Sequence, residues 1–278
     1  MKKGQKLWTR DELILAINLY CKLPFGRLHK TNPQIIHLAE LIGRTPSSVA
    51  FKLVNFASLD PSLQSRGIKG ASNSSKLDKE IWNEFYNNWE ELPYESEKLL
   101  SKLENKSIEE LNQIDTENLP KGKERERVVK VRVNQSFFRS SILASYNNTC
   151  CITGINHSEL LVAGHIKPWS QDKQNRLNPR NGIAINALHD KAFENGLITI
   201  TPEYKIKISN VLLKNKKSDS LEKYFFQYEN KDIFLPSKFL PDIEFLKYHN
   251  ENRFQRLSRK PTAMNERGFI TDSPILIV

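Results

Sequence analysis

Cysteine is nearly absent from this chain: three in 278 residues, Cys21, Cys150 and Cys151, with no C-x-x-C pair among them. A zinc knuckle built on paired thiolates is therefore excluded. Three thiols fit a reducing cytoplasm in which they serve as small core residues. Long apolar runs are also missing. No stretch approaches the roughly 20 residues that cross a bilayer. The opening MKKGQKLWTRDE is charged with no apolar core behind it, so neither a membrane span nor a secretory signal is expected. There is no glycine-rich phosphate loop and no internal repeat. What remains is a polar, basic chain with 38% hydrophobic residues, long enough for one large domain or two small ones.

The net charge of +10 is unevenly placed. Residues 1–75 hold 11 Lys+Arg against 4 Asp+Glu, residues 76–123 hold 7 against 12, and residues 124–278 hold 24 against 16. Two basic blocks suit a polyanion such as DNA, and the acidic block between them suits a spacer. Three helices are expected in the first block. Thr9 and Glu12 form a capping box, Asn32-Pro33 opens a second helix that Gly43 ends, and Thr45-Pro46 opens a third. The Trp8 start and the LIGRTPSSVAFKL segment resemble the helix-turn-helix of Myb/SANT-like domains. The resemblance implies a third helix in the major groove, with Arg44, Ser47, Ser48 and Lys52 toward DNA and Val49, Leu53 and Phe56 inward.

Residues 58–75, rich in Ser, Gly and Asn, read as a basic linker. Residues 76–92 read as a helix with Ile81, Phe85 and Trp89 on one stripe, and the rest of the acidic block reads as a connector that leaves the halves independent. VVKVRV at 128–133 reads as a short strand, followed by a helix from Gln135 with Phe138, Ile142 and Tyr146 four apart. Arg132 and Arg139 are candidates for phosphate contacts or for surface ion pairs. Residues 197–208 read as a hairpin around Pro202-Glu203 and residues 224–234 as one or two more strands. A helix near 241–254 is expected to carry His249 on its surface. Residues 256–278 are polar and then apolar, with no order assigned.

The most informative stretch is GHIKPWSQDKQNRLNPRNGIAINALHDKAFENG, residues 164–196. Residues 159–163 read as a strand that delivers His165, and Pro168 stops it. Residues 170–180 are almost free of apolar side chains and read as a loop, and residues 182–185 read as a second strand. Asn186 caps a helix over 187–195 that Gly196 ends. The unit is strand, loop, strand, helix, with one histidine at a strand end and another in the first helical turn.

The order His165, Asn181, His189, with eight residues from Asn to the last His, resembles the HNH or ββα-metal nucleases. The flanking HIxPW, RLNPxNG and HDxAFxxGLI are similar to a restriction-type subgroup, and the resemblance runs from about 125 to 256. Together with the charge blocks and the Myb/SANT-like resemblance, this resemblance leads to the expectation of an α+β chain with a helix-turn-helix-like domain at 1–75, an acidic helical connector at 76–123 and a ββα-metal nuclease domain at 124–278. It implies hydrolysis of phosphodiesters in double-stranded DNA with one divalent metal ion, Mg²⁺ first and Mn²⁺ as the alternative. A neutral imidazole suits the removal of a proton from water at pH 7, and a cation offsets charge building on the phosphate. By the resemblance His165 is that base, Asn181 holds the loop and orients the His165 ring, and His189 binds the metal. A helix N-terminus keeps His189 neutral. Many relatives place Asp or His just before the base as a second ligand. Here that residue is Gly164, so Asp190 is the expected replacement, with water completing the shell. Lys167 and Arg180 join the expected DNA contacts, and a homodimer is left open. Two rival readings are a non-catalytic DNA-binding regulator with a degenerate HNH fold and an RNA-cleaving HNH nuclease.

Overall fold

The computed structural model describes residues 6–68, 71, 74–86, 88–117, 119–213 and 218–255. Lys69 of the expected linker and the tail 256–278 lie outside the described residues. The first half is helical: α1 Arg10–Lys22, α2 Pro33–Leu41, α3 Pro46–Ala57, α4 Pro61–Gln64, α5 Lys76–Tyr86, α6 Leu92–Glu104, α7 Ile108–Leu111 and α8 Lys123–Ser145. The local signals explain the starts. Thr9 and Glu12 make the capping box of α1, Asn32 accepts from Gln34 N and Thr45 from Ser48 N, and α2 and α3 both begin on proline. Gly43 takes φ +62° in the turn between them, a conformation that glycine adopts without strain. Val49, Leu53 and Phe56 face inward as expected, each 0% exposed.

The second half is α+β. Strand β1 (Leu161–His165) pairs antiparallel with β2 (Gly182–Asn186), in a register running from Leu161 opposite Asn186 to His165 opposite Gly182. Helix α9 (Ala187–Glu194) follows, then the hairpin β3 (Ile198–Ile200) and β4 (Ile206–Ile208). Helices α10 (Asn210–Leu213), α11 (Asp219–Tyr224) and α12 (Ile243–Asn252) close the chain. No helix among the described residues is long and apolar enough to cross a membrane.

Three expectations are corrected. VVKVRV is not a strand but part of α8. Val129, Val133 and Phe137 fall four apart and are buried, so the period of 3.6 prevails over β-branched propensity. Residues 224–234 contribute the end of α11, a 3₁₀ turn at Phe226–Tyr228 and a single bridge between Lys205 and Asp232, in place of strands. His249 is not on the surface: it is 2% exposed and stacks on Phe193 at 3.7 Å.

The acidic block is not a loose spacer either. Trp82, Phe85, Trp89 and Leu92 are buried in the same hydrophobic core as Leu13, Phe56, Phe138 and Ile185. Residues 236–239 lock into this core from the far end of the chain. Phe239 stacks on Trp82 at 6.5 Å and meets Trp89 and Tyr20 edge-on. Each such buried aromatic contributes about 1.5–3 kcal/mol. Lys238, 0% exposed, donates to the carbonyls of Tyr20, Cys21 and Leu23 at the end of α1, where helical carbonyls lack partners. Arg66 donates to the carbonyls of Pro236 and Ser237 at 3.0 and 2.6 Å.

Candidate active site

The site grows from the two faces of the β1–β2 ribbon, because successive strand residues point to opposite sides. On one face, His165 stacks flat on Phe138 of α8, with ring centres 4.0 Å apart and planes 5° apart. Gly182, opposite His165, makes room for this. A Cβ there would lie 2.7 Å from Phe138 Cζ and 2.4 Å from Ile142 Cδ1. Trp169 meets the His165 ring edge-on at 5.5 Å.

The His165 Nε2 lies 2.8 Å from the carbonyl oxygen of Arg176. A carbonyl only accepts, so Nε2 carries the proton and Nδ1 holds the free lone pair. No hydrogen bond to Nδ1 forms among the described residues. Burial lowers the ring's pKa, partly countered by the Arg176 carbonyl, so the imidazole is neutral at pH 7. The ring is thus held from one side and basic at the other.

Asn181 does not touch the His165 ring, which corrects the expectation that it orients the imidazole directly. It is 0% exposed. Its Oδ1 accepts from Lys167 N at 2.8 Å, and its Nδ2 donates to Lys167 O at 3.1 Å and Asn175 O at 3.2 Å. Asn175 precedes Arg176, so Asn181 fixes the segment whose next carbonyl holds His165. Asp172 stiffens the same loop by accepting from Asn175 and Lys167.

On the other face, Asp190 of α9 lies over Gly164. A Cβ on residue 164 would approach Asp190 Oδ1 to 2.6 Å. The missing side chain at 164 is therefore filled by a carboxylate from the helix. No hydrogen bond or ion pair to Asp190 forms among the described residues. Burial and the nearby Glu194 push its pKa up to about 6. Glu194 is one turn on along α9, at the i+4 position that shares a helix face. A carboxylate with little solvent, no donor and a second acid beside it is a fitting seat for a cation.

His189 is placed differently from the expectation. It is 3% exposed. Its Nε2–H donates to Tyr224 O at 2.7 Å, and Nδ1 accepts from Asn186 Nδ2 at 2.7 Å. Asn186 Oδ1 in turn accepts from His189 N, which caps α9. Both ring nitrogens are taken, and Phe225 and Tyr228 pack around the ring. His189 fastens residues 224–228 to α9 and offers no lone pair to a metal. Among the described residues no group of three or more His, Cys, Asp or Glu gathers as a metal cluster. Asp190 and Glu194 are the one or two carboxylates that a divalent cation keeping several of its waters would take.

The expected DNA contacts divide in two. Ser47 is exposed and Ser48 half-buried on α3. Arg132 is exposed, with one long contact to Asp115 O at 3.5 Å. The others are engaged inside the protein. Arg44 pairs with Glu12 at 2.8 Å and lies over the Trp8 ring at 4.1 Å, with 7% of its side chain exposed. It holds the Glu12 carboxyl down at about 2, against the cost of burial. Lys52 is buried against Asp78 at 2.8 Å. Arg139 donates to the carbonyls of Leu161 and Ser158 and anchors the start of β1. Lys167 pairs with Asp172, and Arg180 with Asp242, both at 2.9 Å. Arg44 and Lys52 are thus corrected from DNA-reading residues to ion pairs of the helical core. Their partners, 32 and 26 residues away, carry no local sequence signal.

Residues 150–201 match the family model described as HNH endonuclease. This segment is an HNH endonuclease domain. The match covers His165, Asn181, His189 and Asp190, and places an enzyme domain of a phosphodiester-hydrolase family, one that acts on nucleic acid, at residues 150–201. No curated protein matches the chain significantly. The residue that sequence reasoning passed over in the HNH domain is Arg176. It stands in the quoted RLNPRNG run, but nothing in that run shows that its carbonyl holds the base.

Proposed function

We propose that this protein is a metal-dependent endonuclease of double-stranded DNA, serving restriction of foreign DNA in a bacterial cell. The observation that carries the reading is His165: neutral, locked through Nε2–H, and open at Nδ1 at the end of β1. A base so held takes a proton from water without first losing one itself. Asn181 supports the chemistry by fixing the 167–176 loop around the base. Asp190, with Glu194 beside it, would hold a divalent cation of the kind HNH nucleases typically use. When bound, that cation supplies the positive charge that offsets the developing negative charge on phosphate and leaving oxygen. His165 lies on one face of the ribbon and Asp190 on the other, so the phosphate is expected across the end of β1, where the two faces meet.

The catalytic reading is favoured over a degenerate fold because Asp190 occupies the space that Gly164 vacates. The role of the helical half as a DNA reader is narrowed. Arg44 and Lys52 support its core, and Ser47 and Ser48 remain as surface groups of α3. The test is to incubate the protein with modified and unmodified duplexes and with RNA, in Mg²⁺, Mn²⁺ or EDTA, and to map cuts. Cuts in duplex that need metal and vanish in His165→Ala support the reading. Cuts in EDTA, or in RNA alone, overturn it.

A further inference from the structure

The cations chosen from sequence around the base are mostly neutralised or used to hold backbone, and Arg176 is held without being neutralised. Its Nε–H donates to Trp169 O at 2.9 Å, and its guanidinium lies 5.1 Å over the Trp169 ring. No carboxylate lies within 4.0 Å of it among the described residues. A guanidinium has five N–H donors, so four remain after the bond to Trp169. The same Trp169 ring touches His165 edge-on at 5.5 Å. Base and guanidinium thus flank one indole. The main chain of Arg176 already holds the base, through its carbonyl bond to His165 Nε2.

We propose that Arg176 is the phosphate clamp of the site: its Nη groups bind the non-bridging oxygens of the phosphodiester presented to His165. The inference rests on the DNA-endonuclease reading and adds the group that would recognise the scissile phosphate. Arg suits the task because its planar fork matches two phosphate oxygens, and stacking on Trp169 fixes the plane of that fork before substrate arrives. The arrangement has a geometric consequence. One residue sets the base through its backbone and the phosphate through its side chain, and Asn181 and Asp172 stiffen the loop that carries both. A shift of the loop moves base and clamp together.

The test is duplex binding by the full chain in EDTA over a range of NaCl, followed by single-turnover cleavage in Mg²⁺ at saturating protein. A lost phosphate contact flattens the slope of log K against log salt by about 0.9. Arg176→Gln is expected to lose that slope and slow cleavage at least tenfold. Arg176→Lys is expected to keep the slope and recover part of the rate. The carbonyl that holds His165 survives in both, so the acid limb of the pH–rate profile stays in place, which a merely structural role of the side chain would not guarantee. Should Arg176→Gln unfold, Arg176→Met keeps an apolar stem over Trp169 and reads the same slope. An unchanged slope in the neutral variants overturns the clamp while leaving the nuclease standing. A wild-type chain that neither binds nor cuts duplex overturns both, and shows it before any variant is made.

Discussion

His165 and His189 belong to one small ββα unit; His189 is buried and His165 is partly exposed, and the sharper difference between them lies in hydrogen bonds. Burial lowers the pKa of both rings, and both donate Nε2–H to a main-chain carbonyl, of Arg176 and of Tyr224. At Nδ1 they part. His189 is bonded to the Asn186 amide, whereas His165 faces an open edge with Phe138 at its back. His249 repeats the closed pattern, with Thr199 Oγ1 at 2.7 Å from Nδ1 and Phe193 O at 3.1 Å from Nε2. A histidine with two partners is a structural fastener. One with a single partner keeps a lone pair for chemistry.

The sharpest way to break this comparison is at His165. His165→Ala is expected to slow cleavage by about 10²–10⁴-fold while duplex affinity holds. Single-turnover rates beside a binding isotherm check it, and a wild-type rate would remove His165 as the base. His189→Ala is expected to act on stability instead. Losing a buried ring and its two bonds costs about 2–4 kcal/mol in urea unfolding. The magnesium concentration at half-maximal rate should not move. A large rise in that concentration would return His189 to the metal.

Asp190→Asn should raise the magnesium requirement by at least the roughly tenfold that disturbing a ligand's support costs. Gly164→Ala should follow in the same direction with a smaller effect, because its Cβ would press on Asp190 Oδ1. Magnesium titrations of both variants at fixed pH separate the two. If Gly164→Ala titrates like wild type, the carboxylate over residue 164 is not the cation's seat.

The effect with the least bearing on cleavage is acid lability at His249. Its pKa is lowered from 6.5 to about 4 by burial, so the unfolded chain binds the extra proton first as pH falls. The stability it contributes is complete above pH 6.5 and lost as pH drops toward 4. A loss of about 3 kcal/mol over that window is expected from urea unfolding. His249→Gln should flatten it, and an unchanged acid limb in that variant would refute the assignment.

The site was more legible in the sequence than its surroundings, for a physical reason. β1, β2 and α9 are specified by neighbours in the chain: Pro168 after the first strand, Asn186 at the cap, and Gly196 at φ +66° after the helix. The periodicity of α1 to α3 was equally local. What failed to show depends on partners far away. Lys52 reads as an exposed cation until Asp78 is placed against it, and Trp89 reads as one residue of a helical stripe until Phe239 meets it edge-on. The role of Arg176 hides for a different reason. Its contact with His165 is made by a main-chain oxygen, which every residue type possesses.

The plug formed by Lys238 and Phe239 bears on how such an enzyme could be rebuilt. Helical half and nuclease half look like interchangeable modules on a charge map, yet a chimaera joined near residue 123 would inherit mismatched parts. The donor nuclease would bring a lysine with no helix end to receive it. The recipient bundle would keep an empty aromatic slot between two tryptophans. Any transplant of this HNH domain has to carry the mould for residues 236–239 with it.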